Sequence, residues 1–453
     1  MKANPYRWAG ALLLFSSLVC GAQTSYSDRF FLTDSPEAFR FNPALVTGLD
    51  FISVGGLDLH SRGNVGATTF LYDYDGKTVT ALNPSVPESL FYSRLHQDNY
   101  AMLDYRINLF SYGFMRDRNY HTAEVTVRSI SGATVPRDIF EILKSGINKS
   151  SFDFSNTRLS EDLYLEFAYG WSRRLTDIVS VGARAKLLLG MTSIDAYIRD
   201  FRVGQFDDET FKARFEANLD ISGYPRLKGY DGGTLLNPGP KARRLRIPYP
   251  RGVGMAFDLG VAITPNEYLT LSASANDLGF LCWFYGRGGS ITAYFDPSIL
   301  QEYATEEVSL DQIMGLAVGI AGEVQESAVI QQKKAHAGFR AVPFAFNLGV
   351  KYKMPFYEAL SVGLTGHLTT YRISPYWETR LGVTVQPLDW LDLSGNFGLG
   401  TYGPAYGALA SFRISRFHLN LAYQRSLGGS IPRTGIPMKP FGRTLTAGLT
   451  YDL

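Results

Sequence analysis

The six histidines are the side chains best suited to metal binding or acid–base chemistry, so their spacing is the first test for a reactive centre. They are His60, His96, His121, His336, His367 and His418. No two of them are four residues apart, the spacing that places two zinc ligands on one face of a helix. The chain has no G-x-S-x-G motif for a nucleophilic serine, and Cys282 has no partner motif nearby. These patterns predict no catalytic residue, no metal site and no cofactor.

Charged side chains recur within short segments in which apolar and polar residues alternate. Asp104 and Arg106, for example, are interleaved with Leu103, Tyr105 and Ile107. Because successive residues of a strand point to opposite faces, the charges share one face and the apolar side chains share the other. The residues that this rule assigns to a polar interior are Asp104, Arg106, Glu166, Arg184, Lys186, Asp258, Lys351, Arg380, Asp392 and His418. They either line a conduit or form a charge network that stabilises a closed interior, and their mixed signs predict no ion selectivity.

The last segment, Phe441 to Leu453, alternates in the same way. Its residues Thr446, Gly448, Tyr451 and Leu453 resemble the signal that barrel-assembly machinery reads in the closing strand of outer-membrane β-barrels. Such a strand has an apolar face toward lipid and a polar face toward the interior. The alternative is an ordinary edge strand of a soluble β-domain.

The N-terminus has the layout of a cleaved secretory signal. Lys2 and Arg7 precede an uncharged apolar run from Trp8 to Val19, and small residues follow up to Ala22. The run is shorter than the ~20 residues of a membrane-spanning helix. We therefore expect export, with cleavage after Ala22 preferred over lipidation of Cys20, because Ser17-Leu18-Val19 lacks the small residue that lipoprotein cleavage needs.

Composition supports a β-barrel rather than a soluble multidomain protein. The 453 residues include 45 glycines, 27 tyrosines and 30 phenylalanines, and no later window approaches the ~18 consecutive apolar residues of a membrane helix. Aromatic residues and glycines in short alternating strands are typical of barrels. The net charge of +2 argues against a nucleic-acid partner, and the single cysteine left after cleavage excludes an intrachain disulfide.

The connections between alternating segments give the number of strands. Counted back from the C-terminus, every short connection falls on one side, as in outer-membrane barrels with short inner turns and long outer loops. The count predicts an all-β transmembrane antiparallel barrel of about fourteen strands, within a range of twelve to sixteen. The first strand is predicted at Val65 to Tyr72, where the last strand would pair with it, and one hairpin is predicted about Thr264-Pro265.

Three divisions of the chain follow: a signal peptide at 1–22, a lead-in or plug at 23–50, and the barrel at 51–453 with large insertions at 191–250 and 282–342. Within the second insertion, Ser309 to Gln332 has apolar residues at helical spacing, which predicts a lid or plug. The first insertion contains a basic cluster of Lys241, Arg243, Arg244, Arg246 and Arg251. It would either meet lipopolysaccharide phosphates or form a solvated loop.

Several short motifs carry a resemblance to a known family. They are N-P-A at Asn42 to Ala44, the Asn276 to Phe280 turn with Trp283 after it, and the strand from Ala345 to Tyr352. Together with the signal peptide they resemble a Bacteroidota-type family of uncharacterised outer-membrane proteins, which is similar to FadL-type transporters of hydrophobic compounds. The resemblance implies a fourteen-stranded barrel, an N-terminal plug and uptake of hydrophobic molecules.

The expected function is passive transport of a hydrophobic or amphipathic small molecule across the outer membrane, without catalysis. The expected partners are outer-membrane lipid and lipopolysaccharide, the barrel-assembly machinery and a hydrophobic ligand. A barrel that acts as a scaffold or shuttle in protein secretion or surface attachment, or as a general porin, remains an alternative.

Overall fold

The computed structural model describes residues 27–32, 35–75, 77–146, 151–206, 210–222, 250–284, 286–295, 329–335, 338–427 and 439–453. Within these ranges, no helix combines the length and the apolar character needed to cross a membrane. The predicted signal peptide and the basic residues from Lys241 to Arg246 lie outside the described residues.

Strands dominate the described chain, and the few helices are short. The helices are α1 (Ser27–Phe31), the 3-10 helix Ala38–Arg40, α2 (Ala67–Phe70), α3 (Glu88–Tyr92) and α4 (Arg137–Ser145). The strands are β1 (Phe51–Gly63), β2 (Leu71–Tyr74), β3 (Lys77–Thr80), β4 (Asp98–Arg116), β5 (Asn119–Pro136), β6 (Ser151–Asp153), β7 (Arg158–Arg174), β8 (Val179–Phe206), β9 (Thr210–Ser222), β10 (Gly252–Asn266), β11 (Leu269–Trp283), β12 (Gly286–Phe295), β13 (Val329–Ala335), β14 (Gly338–Ala341), β15 (Ala345–Met354), β16 (Tyr357–Thr369), β17 (Tyr376–Leu388), β18 (Leu391–Gly400), β19 (Gly403–Ile414), β20 (Phe417–Ser426) and β21 (Phe441–Asp452).

Fourteen of these strands form a closed antiparallel barrel, which confirms the predicted fold. The order around the wall is β1-β4-β5-β7-β8-β10-β11-β15-β16-β17-β18-β19-β20-β21, and β21 returns to β1. Closure leaves no unpaired sheet edge in the wall. Six short turns, at 117–118, 175–178, 267–268, 355–356, 389–390 and 415–416, lie at one end of the barrel, which we call the turn end. The opposite end is the loop end.

Side chains of the wall alternate between a polar interior and an apolar exterior. On β15, Phe346 and Leu348 are 46% and 62% exposed, whereas Asn347 between them is fully buried. A soluble protein would have the opposite arrangement, because water favours polar side chains outside. The exterior is therefore suited to lipid contact.

The prediction of the first strand is wrong. The first wall strand is β1, and the predicted segment Val65 to Tyr72 instead contains α2 and the start of β2. A bulge in β1 explains the error, since Val54 and Gly55 together face one residue of β21 and the alternation changes phase there. Gly55 has φ +80°, a conformation that favours glycine.

Two further predictions need correction. The hairpin between β10 and β11 turns at 267–268 rather than at Thr264-Pro265, because the Asn266 side chain accepts hydrogen bonds from the backbone N–H groups of Tyr268 and Leu269. The helical spacing predicted to Gln332 is wrong at its end, since β13 begins at Val329 and pairs with β12. Residues 309–328 lie outside the described residues.

Extra sheet and a small helical cluster extend the wall at the loop end. In the predicted insertions, β9 pairs with the second half of β8 and with β12. The hairpin β2–β3 and helices α3 and α4 enclose a separate small core around Phe91 and Tyr72. These elements add a layer at the mouth of the barrel without interrupting its ring of fourteen strands.

Candidate functional site inside the barrel

The N-terminal segment lies inside the barrel near the turn end. Its described residues, 27–32 and 35–46, include α1 and the 3-10 helix, and we call them the plug. Phe31, Phe39 and Phe41 of the plug are almost completely buried. The plug touches the wall strands on several sides, so it occupies the cross-section of the interior there.

One recess for the plug is formed by two glycines that are directly paired across β8 and β10. Gly182 and Gly260 face Asn42 and Pro43, and a Cβ at either position would overlap these plug atoms. The Asn42 amide donates to the Val261 and Ala273 carbonyls at 3.0 and 3.1 Å. The N-P-A motif is thus fixed against the wall by shape and by hydrogen bonds.

A second recess holds the other part of the plug. Gly363 and Gly382 are paired across β16 and β17, and a Cβ on them would lie 2.9 and 2.7 Å from the Phe31 ring. The Lys351 ammonium group donates to the Phe31 and Leu32 carbonyls at 3.2 and 3.0 Å. Lys351 therefore holds plug backbone, which is a different use from lining a conduit.

Above the plug, a continuous network of ion pairs fills the interior. We call it the charged layer, and it comprises Arg29, Glu37 and Arg40 of the plug and, from the wall, Asp58, Asp104, Arg106, Glu124, Arg128, Glu166, Arg184, Lys186, Asp258 and Asp277. Arg184 bridges Glu124 and Asp258 at 3.3 and 3.1 Å, and Lys186 continues the chain from Asp258 at 2.8 Å to Asp277. Every ion in this chain has an opposite charge in contact, which is the condition for burying charges without a large penalty.

Asp277 is the point where the network converges. Its carboxylate accepts from Arg106 and from Arg128 at 2.8 Å each, and it also pairs with Lys186. Arg128 continues to Asp104 at 3.1 Å. The backbone at Asp277 has φ +61°, so a strained residue carries the most heavily shared carboxylate of the layer.

Arg40 joins the plug to the charged layer. Its guanidinium contacts Glu37 at 2.9 Å and Glu124 at 3.1 Å. Burial alone would lower the pKa of Arg40, but Glu124 and Glu37 raise this pKa above its usual range. The plug is thus bound to the wall electrostatically as well as sterically.

The predicted interior residues are distributed over several sites. Asp104, Arg106, Glu166, Arg184, Lys186 and Asp258 meet in the charged layer. Elsewhere, Arg380 pairs with Glu378 at 2.8 Å, Asp392 with Arg413 at 2.7 Å and His418 with Asp452 at 2.6 Å. These pairs lie within the wall away from the layer.

Sequence reasoning missed several members of the layer. Glu124 and Arg128 alternate with apolar residues on β5, in phase with Thr126, so the same alternation rule could have found them. Asp58 was missed because the bulge hid β1, and Asp277 because its segment reads as a turn. Arg29 and Arg40 of the plug carried no periodic signal.

The charged layer and the plug close the interior. The cavity within the layer measures about 10 Å³, lined by Arg40, Asn108, Glu124, Arg184 and Asn276 among others. That volume holds about one water molecule.

A larger cavity of about 250 Å³, the outer pocket, lies on the loop-end side of the charged layer. Its apolar lining is Met102, Ile130, Tyr164, Leu281, Ala341, Val342, Pro343, Phe344 and Ile373, and its polar lining is Ser131, Ser160, Asp162, Thr370, Arg340 and Arg372. An apolar cavity with a few convergent polar groups is the usual form of a small-molecule site.

Salt bridges between the loop-end segments and the wall strands β7 and β8 cross the rim of the outer pocket. Arg340 contacts Asp162 at 2.9 Å, and Arg372 contacts Asp162 and Asp195 at 3.5 and 3.6 Å. Burial lowers the pKa of Arg372, although Asp162 and Asp195 act to raise it. The rim therefore presents charged groups of both signs to anything that enters the pocket.

Arg62 lies between the outer pocket and the charged layer. Its guanidinium stacks over the rings of Tyr376 and Tyr371, 3.9 and 4.8 Å from their centroids. The Tyr371 hydroxyl donates to Asp104 at 2.8 Å. The same aromatic cluster includes Met102 of the pocket lining, so the pocket wall and the layer share a rigid support.

A family comparison defines what the chain is related to. A model described as a family of unknown function, DUF5723, matches residues 41–423. This chain belongs to the DUF5723 family. A comparison with curated proteins finds no match.

Solved structures similar to this DUF5723 member include a FadL homologue and two toluene transporters. A FadL homologue from Pseudomonas aeruginosa is 12% identical, with 93% of this chain and 95% of that chain covered and a TM-score of 0.46. The toluene transporter TbuX of Ralstonia pickettii is 10% identical, with 92% and 93% covered and a TM-score of 0.46. The toluene transporter TodX of Pseudomonas putida is 11% identical, with 96% of each chain covered and a TM-score of 0.44.

The predicted assembly-signal residues of this DUF5723 member face both sides of the last strand. Inside, Thr446 donates to Asp58 at 2.8 Å and Gly448 lies beneath Glu37. Outside, the Tyr451 ring packs on Phe417, with centroids 5.0 Å apart. At the end of the chain, Leu453 donates its backbone N–H to the Asp50 carbonyl at 3.0 Å. Recognition by assembly machinery stays a prediction.

Proposed function

We propose that the protein is an outer-membrane barrel that takes up a small hydrophobic or amphipathic molecule by passive binding and diffusion. The observation that carries the proposal is the outer pocket, which lies on the loop-end side of an interior closed by the charged layer and the plug. The apolar exterior of the barrel supports a membrane location, since transmembrane barrels present an apolar band to lipid.

The pocket favours a compact ligand with an apolar body. Its volume of about 250 Å³ lies just below the usual range for ligand sites. Met102, Ile130 and Leu281 would contact the apolar part, and hydroxyl or charged groups at Ser160 and Arg340 would meet a polar substituent. A ligand of this kind would be released by a rearrangement of the protein rather than by a chemical step.

The closed interior argues against the general porin alternative. Porins keep a water-filled channel through the barrel. Here the level of the charged layer leaves a cavity of about 10 Å³ within the described residues. Passage would therefore require displacement of plug or layer residues, so uptake depends on a conformational change.

The test is to identify a ligand that co-purifies with the protein and depends on the pocket. Protein purified in detergent is extracted, and the extract is analysed by mass spectrometry against a matched membrane extract. We expect an enriched compound in the native protein and its loss in Ile130→Trp, which fills the cavity. The control is Leu348→Trp on the lipid-facing side, where the residue is 62% exposed. Recovery of bulk membrane lipid alone from all three proteins would overturn the proposal.

A further inference from the structure

The plug places two buried charges at the seam where the first and last strands meet. The Arg29 guanidinium contacts both oxygens of Asp58 on β1, at 2.8 and 3.0 Å. Glu37 lies against β21 at Gly448, where a Cβ would be 2.9 Å from the Glu37 carboxylate. Arg29 and Glu37 also contact each other at 3.4 Å. One ion pair of the plug therefore spans the closing seam.

The seam is irregular at the level of these contacts. Val54 and Gly55 of β1 together face Leu449, and the next pair is Gly56 opposite Gly448. Neither glycine supplies a side chain, so the cross-strand packing that normally fixes register is missing there. Glycine-rich strands are weakly specified in register and prone to slip. The two strands also come from opposite ends of the chain, with Asp58 and Thr446 separated by 388 positions.

Asp58 connects the plug with both sides of the seam. It lies directly opposite Thr446, whose hydroxyl donates to the carboxylate that Arg29 also contacts. A slip of two residues would keep every side chain on its face but would separate Asp58 from Thr446. The native register is therefore the one that satisfies Arg29, Asp58 and Thr446 together.

Glu37 is fixed from two directions. Arg40 contacts it at 2.9 Å and in turn contacts Glu124 on β5 at 3.1 Å. The Glu37 carboxylate is consequently anchored to a part of the wall that is independent of the seam. The lack of a side chain at position 448 is then a requirement of the plug, because any Cβ there would press on this carboxylate.

We propose that the plug has a second role, which is to set the register in which the first and last strands close the barrel. Arg29 fixes the position of β1 by its contact with Asp58. Glu37 fixes the position of β21 because its carboxylate fits only over a residue without a side chain, which is Gly448. This role needs the plug inside the forming barrel before the seam closes. It does not depend on any ligand, so it stands apart from the proposed uptake function.

Disulfide cross-linking of outward-facing residues tests this role. In a Cys282→Ser background, Leu57→Cys with Ala447→Cys reports the native register, because these residues are directly opposite. Leu57→Cys with Leu445→Cys reports a slip of two residues. Only folded protein is scored, identified by the faster migration of unheated samples on SDS gels. We expect Arg29→Met to lower the ratio of native to slipped cross-link on the order of tenfold, as loss of a charged hydrogen bond would.

Two controls separate register from general loosening. Lys351→Met removes a plug contact on β15, on the opposite side of the barrel, and should leave the ratio unchanged. Leu419→Cys with Leu449→Cys monitors the neighbouring β20–β21 pair and should cross-link equally in all variants. Glu37→Gln keeps the side-chain shape and should lower the ratio less than Arg29→Met does. An unchanged ratio in both seam variants, or an equal fall in Lys351→Met, would overturn the proposal.

Discussion

Gly363 and Gly382 lie directly opposite each other on neighbouring wall strands, and the Phe31 ring rests where their side chains would project. The wall thus carries a recess that only glycine at both positions can provide. Gly182 and Gly260 form an equivalent recess for Asn42 and Pro43. The fit of the plug therefore depends on the absence of side chains at two places on the wall.

A side chain in the recess formed by Gly363 and Gly382 should displace part of the plug. We expect Gly382→Val to displace Phe31, because the ring already lies 2.7 Å from the position of a Cβ. Limited trypsin digestion of the folded protein, followed by N-terminal sequencing, should then detect cleavage after Arg29, which is buried in the native protein. Gly395→Val is the control, since nothing lies within 4 Å of a Cβ there. Equal resistance of both variants would contradict this.

Removal of the central carboxylate of the charged layer should be costly. Asp277→Asn removes the carboxylate that Arg106, Arg128 and Lys186 share, while Arg128 keeps Asp104 and Lys186 keeps Asp258. Breaking a buried ionic network in this way costs about 3–5 kcal/mol of the free energy of unfolding. This loss in the free energy of unfolding is measured by urea unfolding in detergent micelles.

A surface ion pair provides the comparison for that measurement. Arg137 and Glu141 form a pair on α4 in which the Arg137 side chain is 35% exposed. Arg137→Ala should cost only roughly 0.3–0.5 kcal/mol, as exposed helical pairs do. Similar losses in Arg137→Ala and Asp277→Asn would show that the layer contributes no more than a surface pair.

The stacking of Arg62 should depend on its planar guanidinium rather than on charge alone. Arg62→Lys retains the charge but loses the stacking on Tyr371 and Tyr376, and we expect a loss of about 2 kcal/mol in the free energy of unfolding. Arg94→Lys is the matched control, because Arg94 stacks over Tyr72 at 4.4 Å on the exposed side of the loop-end cluster. Arg94→Lys should lower the free energy of unfolding by only roughly 0.5–1 kcal/mol. The same urea measurement decides between them, and equal losses would rule out the stacking explanation.

Neighbouring positions on β8 should differ sharply in their access to lipid. In a Cys282→Ser background, Leu187→Cys should react with a lipid-soluble maleimide, since Leu187 is 48% exposed on the outer face. Lys186→Cys should be protected, because position 186 lies in the charged layer. Labelling is quantified by mass spectrometry after reconstitution in liposomes. Faster labelling at 186 than at 187 would invert the assigned faces.

The number of strands could be predicted from sequence because lipid imposes one simple requirement on every wall strand. Outward residues must be apolar, so the charges of segments such as Leu103 to Ile107 reveal the interior face. Short turns then fix the direction of each strand. The rule failed where local geometry changed the phase of the alternation, as at Gly55 in β1, or moved a turn, as after Asn266.

The interior contacts were less predictable, because they join residues that are distant in sequence. Alternation placed Arg184 and Lys186 inside, but it carries no information about which carboxylate each one meets. The outer pocket combines Met102, Leu281 and Phe344 from three separate strands and loops. Such combinations are a property of the closed ring, and no local pattern encodes them.

The bulge at Gly55 has a genetic consequence. An in-frame deletion of that one codon would remove the bulge, so Val54 alone would face Leu449 and the other residues of β1 would keep their faces. Deletion of the regularly paired Leu57 would instead turn Asp58, His60 and Arg62 from the interior toward lipid, where an arginine at mid-membrane alone costs about 2–4 kcal/mol. We therefore expect β1 to tolerate the loss of its bulge residue far better than the loss of a residue beside it.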